Sequence, residues 1–100
     1  MPDLLIDDSS VGKILRVEYM EPMDISAYKL AKDIRVPVSR IQEILKDKRK
    51  ITLDTSVRLA KYFGVAECFF LDLQNDIDLR KLKETIGQEI DQIQPVKPKM

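Results

Sequence analysis

Histidine and tryptophan are absent, and cysteine occurs once, at Cys68. Without histidine the chain has no Ser–His triad, no Cys–His pair and no histidine-containing zinc site. A lone thiol makes no internal disulfide. Cys68 lies in an apolar stretch with Phe69, Phe70, Leu71 and Leu73, where burial as a small hydrophobe is expected. The three glycines, Gly12, Gly64 and Gly87, are too scattered to form a phosphate-cradling loop. The carboxylates form no clustered motif, so no catalytic residue, metal or cofactor is assigned, and the chain reads as a non-enzyme. The apolar runs are only a few residues long, whereas a bilayer span takes about 20. The first ten residues carry Asp3, Asp7 and Asp8 and no base, unlike a secretory signal, so the cytoplasm is the expected compartment.

What is there is unevenly charged. Lys and Arg balance Asp and Glu at 17 each over 100 residues. Residues 1–25 nevertheless hold six acids and two bases, whereas residues 26–50 hold eight bases and three acids. A basic segment in a neutral chain is the electrostatic footprint of a nucleic-acid binder, although a solvated helix face would carry the same pattern.

Hydrophobic periodicity is helical throughout, with no strand or repeat, and the length fits one domain. Ser10 precedes a first helix expected over 11–20, stopped by Pro22. Ser26 caps a second helix over 27–34, with Tyr28, Leu30, Ala31 and Ile34 as its buried set. Arg35 and Val36 form a turn, and Pro37 opens a third helix over 38–46 with Ile41, Ile44 and Leu45 inward. Thr52 opens a fourth over 53–63, closed by Gly64. A fifth begins near Ala66 and is expected to break or bend over 75–78. A last amphipathic segment over 79–93 either packs back on the domain or joins two copies. The expected organisation is a flexible acidic arm over 1–10, a helical domain with its C-terminal helix over 11–93, and a flexible tail over 94–100.

The informative stretch is Ala27–Lys46. Two short helices joined by a tight turn need a small residue where they cross, here Ala31. They also need an apolar residue after the turn, Val36, and two that lock the second helix, Ile41 and Ile44. This is helix-turn-helix spacing, in which the exposed face of the second helix enters the DNA major groove.

The ordered series of motifs resembles the HigA-type antitoxins of the XRE (lambda-repressor-like) helix-turn-helix family. It runs through Gly12-Lys13-Ile14-Leu15, Glu21-Pro22, Leu30-Ala31, Val36-Pro37-Val38-Ser39-Arg40-Ile41 and Lys48-Arg49-Lys50-Ile51-Thr52. It continues with Arg58-Leu59-Ala60, Tyr62-Phe63-Gly64 and Leu73-Gln74, and covers roughly residues 11–80. The resemblance implies an all-α, compact bundle of about five helices with a C-terminal helical extension. It also implies a homodimer, a near-palindromic double-stranded DNA operator and a HigB-type ribonuclease toxin as partner. The chain departs from the family at Arg35, where a glycine is common, and at Ala66, where a capping serine is usual.

On this reading Ser39, Arg40, Gln42 and Glu43 reach base edges, Arg40 toward guanine N7 and O6, with phosphate contact as the alternative. Ser26, Lys29, Lys46, Lys48, Arg49 and Lys50 hold phosphates, or else are solvated charge. Asp7, Asp8, Glu18, Glu21 and Asp24 would face the toxin, or merely balance the basic face. The expected function is an autorepressing antitoxin. An XRE-family regulator without a toxin, and a helical interaction module without DNA binding, remain the alternatives.

Overall fold

The computed structural model describes residues 10–98, in which every regular element is helical. Five helices follow in order: α1 (Val11–Ile14), α2 (Ala27–Ile34), α3 (Val38–Leu45), α4 (Leu53–Phe63) and α5 (Phe69–Asp91). The expected all-α bundle is what forms. The arm at 1–9 and residues 99–100 lie outside the described residues, while Ser10 is buried and caps α1 by accepting from the Lys13 N–H at 3.1 Å.

The first helix departs from expectation. After Ile14 it widens into π-helical turns over Leu15–Met20 and then tightens into a 3-10 turn over Glu21–Met23. The wide turns end at Met20, the expected bound, and Pro22 sits in the first turn of the short 3-10 segment that follows. Tyr19 is thereby set edge-on against Phe63, Phe69 and Phe70, with ring centroids 5.3, 6.2 and 5.1 Å away.

Helices α2 and α4 have the expected bounds because their end signals are local. Ser26 and Thr52 accept from the N–H groups of Lys29 and Thr55. Tyr28 is a correction, for it is 70% exposed. It lies two residues before buried Leu30, which puts it on the other side of α2.

Four helical segments end in the same way. At Asp24, Arg35, Asp47 and Gly64 the backbone turns left-handed, with φ of 56, 66, 61 and 74°. The next N–H then bonds back five residues: Ile25 to Met20, Val36 to Ala31, Lys48 to Glu43 and Val65 to Ala60, all within 2.8–3.0 Å. Only the last closure uses glycine. Arg35 thus keeps the turn geometry that glycine would adopt more easily, at a cost of about 1 kcal/mol.

Core residues from all five helices meet: Ile14 and Leu15 near α1, Leu30 and Ile34 on α2, Ile41 and Ile44 on α3, Leu59 on α4, and Phe70 and Ile77 on α5. Helix α5 does not break at 75–78; it runs through, burying Phe70, Gln74 and Ile77. Its one departure is Ile86 (φ −126°, ψ 16°), just before Gly87. Beyond Ile77 most apolar positions stay open, with Leu79, Leu82, Ile90 and Ile93 between 39% and 68% exposed and Ile86 half-buried. The apolar face of the segment is therefore not packed onto the domain.

Helix α5 starts at Phe69 rather than near Ala66, and Cys68 sits at its N-cap, exposed. The expectation of a buried thiol is thereby overturned, because the turn sends Phe70 inward instead. The missing cap at Ala66 is supplied from α4. The wholly buried Ser56 hydroxyl donates to the Glu67 carbonyl at 2.8 Å and accepts from the Leu71 N–H at 3.2 Å.

Candidate nucleic-acid interface

Helices α2 and α3 pack on each other through Leu30, Ala31, Ile34, Ile41 and Ile44, all 5% exposed or less. The opposite face of α3 is left to solvent. Ser39 and Gln42 are exposed on it, and Arg40 and Glu43 are half-buried beside them. Lys46 at the end of α3 and Lys48, Arg49 and Lys50 in the following loop are all exposed. Ser26 and Lys29 lie at the start of α2, the Ser26 hydroxyl holding the Lys29 N–H at 3.0 Å.

The structure brings the expected base-reading and loop cations together, but it also engages several of them. Arg49 donates to Glu43 at 2.7 Å, and Lys50 reaches Asp78 on α5 at 2.9 Å. Lys29 bonds Asp33 at 2.8 Å, and the Tyr62 hydroxyl donates to the same carboxylate at 2.6 Å. Those two hydrogen bonds hold Asp33 below the ordinary carboxylate range, and the shared contact raises both Lys29 and Tyr62. Among the described residues Lys46 and Lys48 have no ion-pair partner, which makes them the cations most available to a phosphate.

The loop bearing these cations is pinned from below. The side-chain amide of Gln74, on α5, accepts from the Ile51 N–H at 2.7 Å and donates to the Ile51 carbonyl at 2.8 Å. The turn between α2 and α3 is braced by Arg58 of α4. One of its terminal nitrogens donates to the carbonyl of Ile34 at 2.9 Å and to that of Arg35 at 3.4 Å.

A helix-turn-helix family model matches residues 18–70. The antitoxin HigA of Pseudomonas aeruginosa, solved with the higBA promoter, superposes with a TM-score of 0.79 at 30% identity over 88% of this chain and 97% of that one. An addiction module antidote protein of the HigA family from Coxiella burnetii does so with a TM-score of 0.78 at 37% identity, over 86% and 95%. The chain belongs to the HigA family of helix-turn-helix proteins. Virulence-associated protein I of Dichelobacter nodosus is also similar, 46% identical over 85 residues, which are 85% of this chain and 78% of that protein.

In this HigA-family chain the acidic set divides. Glu18 and Asp24 are exposed with no ion-pair partner among the described residues, whereas Glu21 is bound to Arg16 at 3.0 Å. Asp7 and Asp8 lie outside the described residues. Sequence reasoning missed Asp54, Ser56, Arg58 and Gln74. All four make bonds across 11–24 residues of chain, and no local pattern signals such a partner. Asp54 and Arg58 are four apart on one helix, and that spacing alone marks an ion pair.

Proposed function

We propose that this chain binds a near-palindromic operator as a homodimer, represses its own operon and neutralises a HigB-type ribonuclease toxin. The observation that carries the reading is the open face of α3, with Ser39 and Gln42 exposed and the unpaired Lys46 and Lys48 at its far end. Such a face fits the major groove, its first turn against base edges and its flanking ammonium groups against phosphates. Two copies would occupy successive grooves about 34 Å apart. The exposed Leu79, Leu82 and Ile90 of α5, with Ile93 just beyond its end, supply an apolar stripe suited to the contact between copies. The acids Glu18, Glu21 and Asp24, with Asp7 and Asp8, are the face offered to a basic toxin.

The first test is binding to the chain's own promoter duplex against a scrambled duplex at two salt concentrations. Salt-sensitive preference for the promoter is expected; equal binding to both would sink the operator reading. Within that assay, Arg40→Ala should relax preference at one base pair of each half-site. Lys48→Ala should weaken all duplexes alike and lower the slope of log affinity against log salt by about 1. A uniform loss for Arg40→Ala would remove its base-reading role.

Leu82→Lys places a charge in the apolar stripe without touching the core. Sedimentation should show monomers where the unaltered chain gives dimers, and operator affinity should fall at least about tenfold as two-site binding is lost. Dimers that persist in the variant would move the contact elsewhere. Co-purification with the candidate toxin, and loss of it on Glu18→Lys with Asp24→Lys, tests the acidic face.

A further inference from the structure

Arg40 is not free on the α3 surface. One terminal nitrogen of its guanidinium lies 3.5 Å from a carboxylate oxygen of Asp54, in the first turn of α4. Asp54 is itself gripped, since both of its oxygens accept from the Arg58 Nε, at 3.1 and 3.0 Å. Arg58 is anchored in turn on the Ile34 and Arg35 carbonyls of the turn between α2 and α3. A chain of contacts therefore runs from the turn, through Arg58 and Asp54, to the side chain at the head of α3. It closes a ring through the three elements that fix how α3 is presented.

From this geometry we infer that Asp54 is a specificity-determining positioning residue, which aims the Arg40 guanidinium and withholds it from the phosphate backbone. The inference rests on the operator-binding reading and adds a residue to it. An arginine has four rotatable side-chain bonds and, left alone, takes whichever phosphate is nearest, a contact that carries no sequence information. Bidentate recognition of guanine requires the fork in one plane. Asp54 engages one terminal nitrogen, and among the described residues nothing else accepts from Arg40. The carboxylate thus biases the fork toward one orientation while leaving its other N–H groups for a base.

Asp54 is exposed and its side-chain bonds go to two surface arginines, Arg40 and Arg58, so its variants should fold. The test uses a duplex that the unaltered chain selects from a random-sequence pool, with a scrambled duplex of the same composition as the reference. Asp54→Ala should lower the selected-to-scrambled affinity ratio on the order of tenfold, the scale of one bidentate base contact. Affinity for the scrambled duplex should hold or rise. The same substitution in an Arg40→Ala background should leave the ratio where Arg40→Ala alone puts it, which a merely structural role for Asp54 would not do. Asp54→Asn, which keeps one carbonyl oxygen for Arg40, should fall between Asp54→Ala and the unaltered chain. An unchanged ratio in Asp54→Ala overturns the inference, as does an equal loss with and without Arg40. Failure of the unaltered chain to select any sequence is a different result, because it removes the operator reading beneath.

Discussion

Replacing Gln74 with leucine should destabilise the fold by about 2–4 kcal/mol, although leucine is apolar, similar in size and enters a site that is 95% buried. Burial alone predicts the opposite sign. The decisive fact is what Gln74 touches, both polar groups of the Ile51 backbone, at 2.7 and 2.8 Å. Leucine would leave a buried N–H and a buried C=O unpaired, each costing about 1–3 kcal/mol. For a domain of this length the loss should lower the melting temperature by roughly 10–25 °C. Gln74→Glu separates the two bonds, for it keeps an acceptor for the N–H and sets a carboxylate oxygen against the Ile51 carbonyl. Thermal and urea denaturation followed by circular dichroism read both. A leucine variant as stable as the parent would mean that water or a shifted loop satisfies Ile51, and that α5 does not pin the basic loop.

Glycine-to-alanine substitution should have opposite signs at two places in this chain. At Gly12 an added Cβ would lie 2.3 Å from the Ile44 carbonyl oxygen, 2.9 Å from an Asp47 carboxylate oxygen and 3.2 Å from the Leu45 Cα. The nearest of these is backbone and does not swing aside, so α1 has to move off the end of α3. Overpacking of this kind costs about 1–3 kcal/mol or more, against at most about 1 kcal/mol gained from alanine's helix propensity. Gly12→Ala should therefore destabilise, with a net loss of about 2 kcal/mol. At Gly87 no described atom beyond its chain neighbours and the backbone of its own helix lies within 4 Å of the added Cβ, so Gly87→Ala should stabilise by about 0.5–1 kcal/mol. Paired urea denaturation curves check both. A neutral Gly12→Ala would show that α1 is not held against α3.

What the sequence made legible follows from how far each signal reaches. The bounds of α2 and α4 rest on Ser26, Thr52 and Gly64, whose partners are three to five residues away, so the sequence alone places them. The crossing of α2 and α3 was equally readable, because Ala31, Val36, Ile41 and Ile44 fall within one short window. Reading failed where the answer lies across the fold. The polar run at 75–78 suggested a break, yet Gln74 and Ile77 are held in the core by partners from elsewhere and the helix runs on. Ala66 offers no cap to the last helix, whose start is secured by Ser56 across 15 residues of chain. The candidate site divides the same way: its cations were visible as a charge excess, but the acids that engage them were not. Of these, Asp78 is 28 residues from Lys50, and Asp54 is 14 from Arg40.

That engagement changes what a salt titration of binding measures. A lysine that meets DNA from open water, as Lys48 would, displaces a condensed counterion and adds its full share, about 0.9, to the slope. On the proposed operator reading, Arg49 and Lys50 would first have to leave Glu43 and Asp78, and each abandoned carboxylate would then gather a small cation from the buffer. Release at the phosphate and uptake at the acid partly cancel. The slope for this protein is an exchange number, and a shallow one is compatible with a broad grip on the duplex.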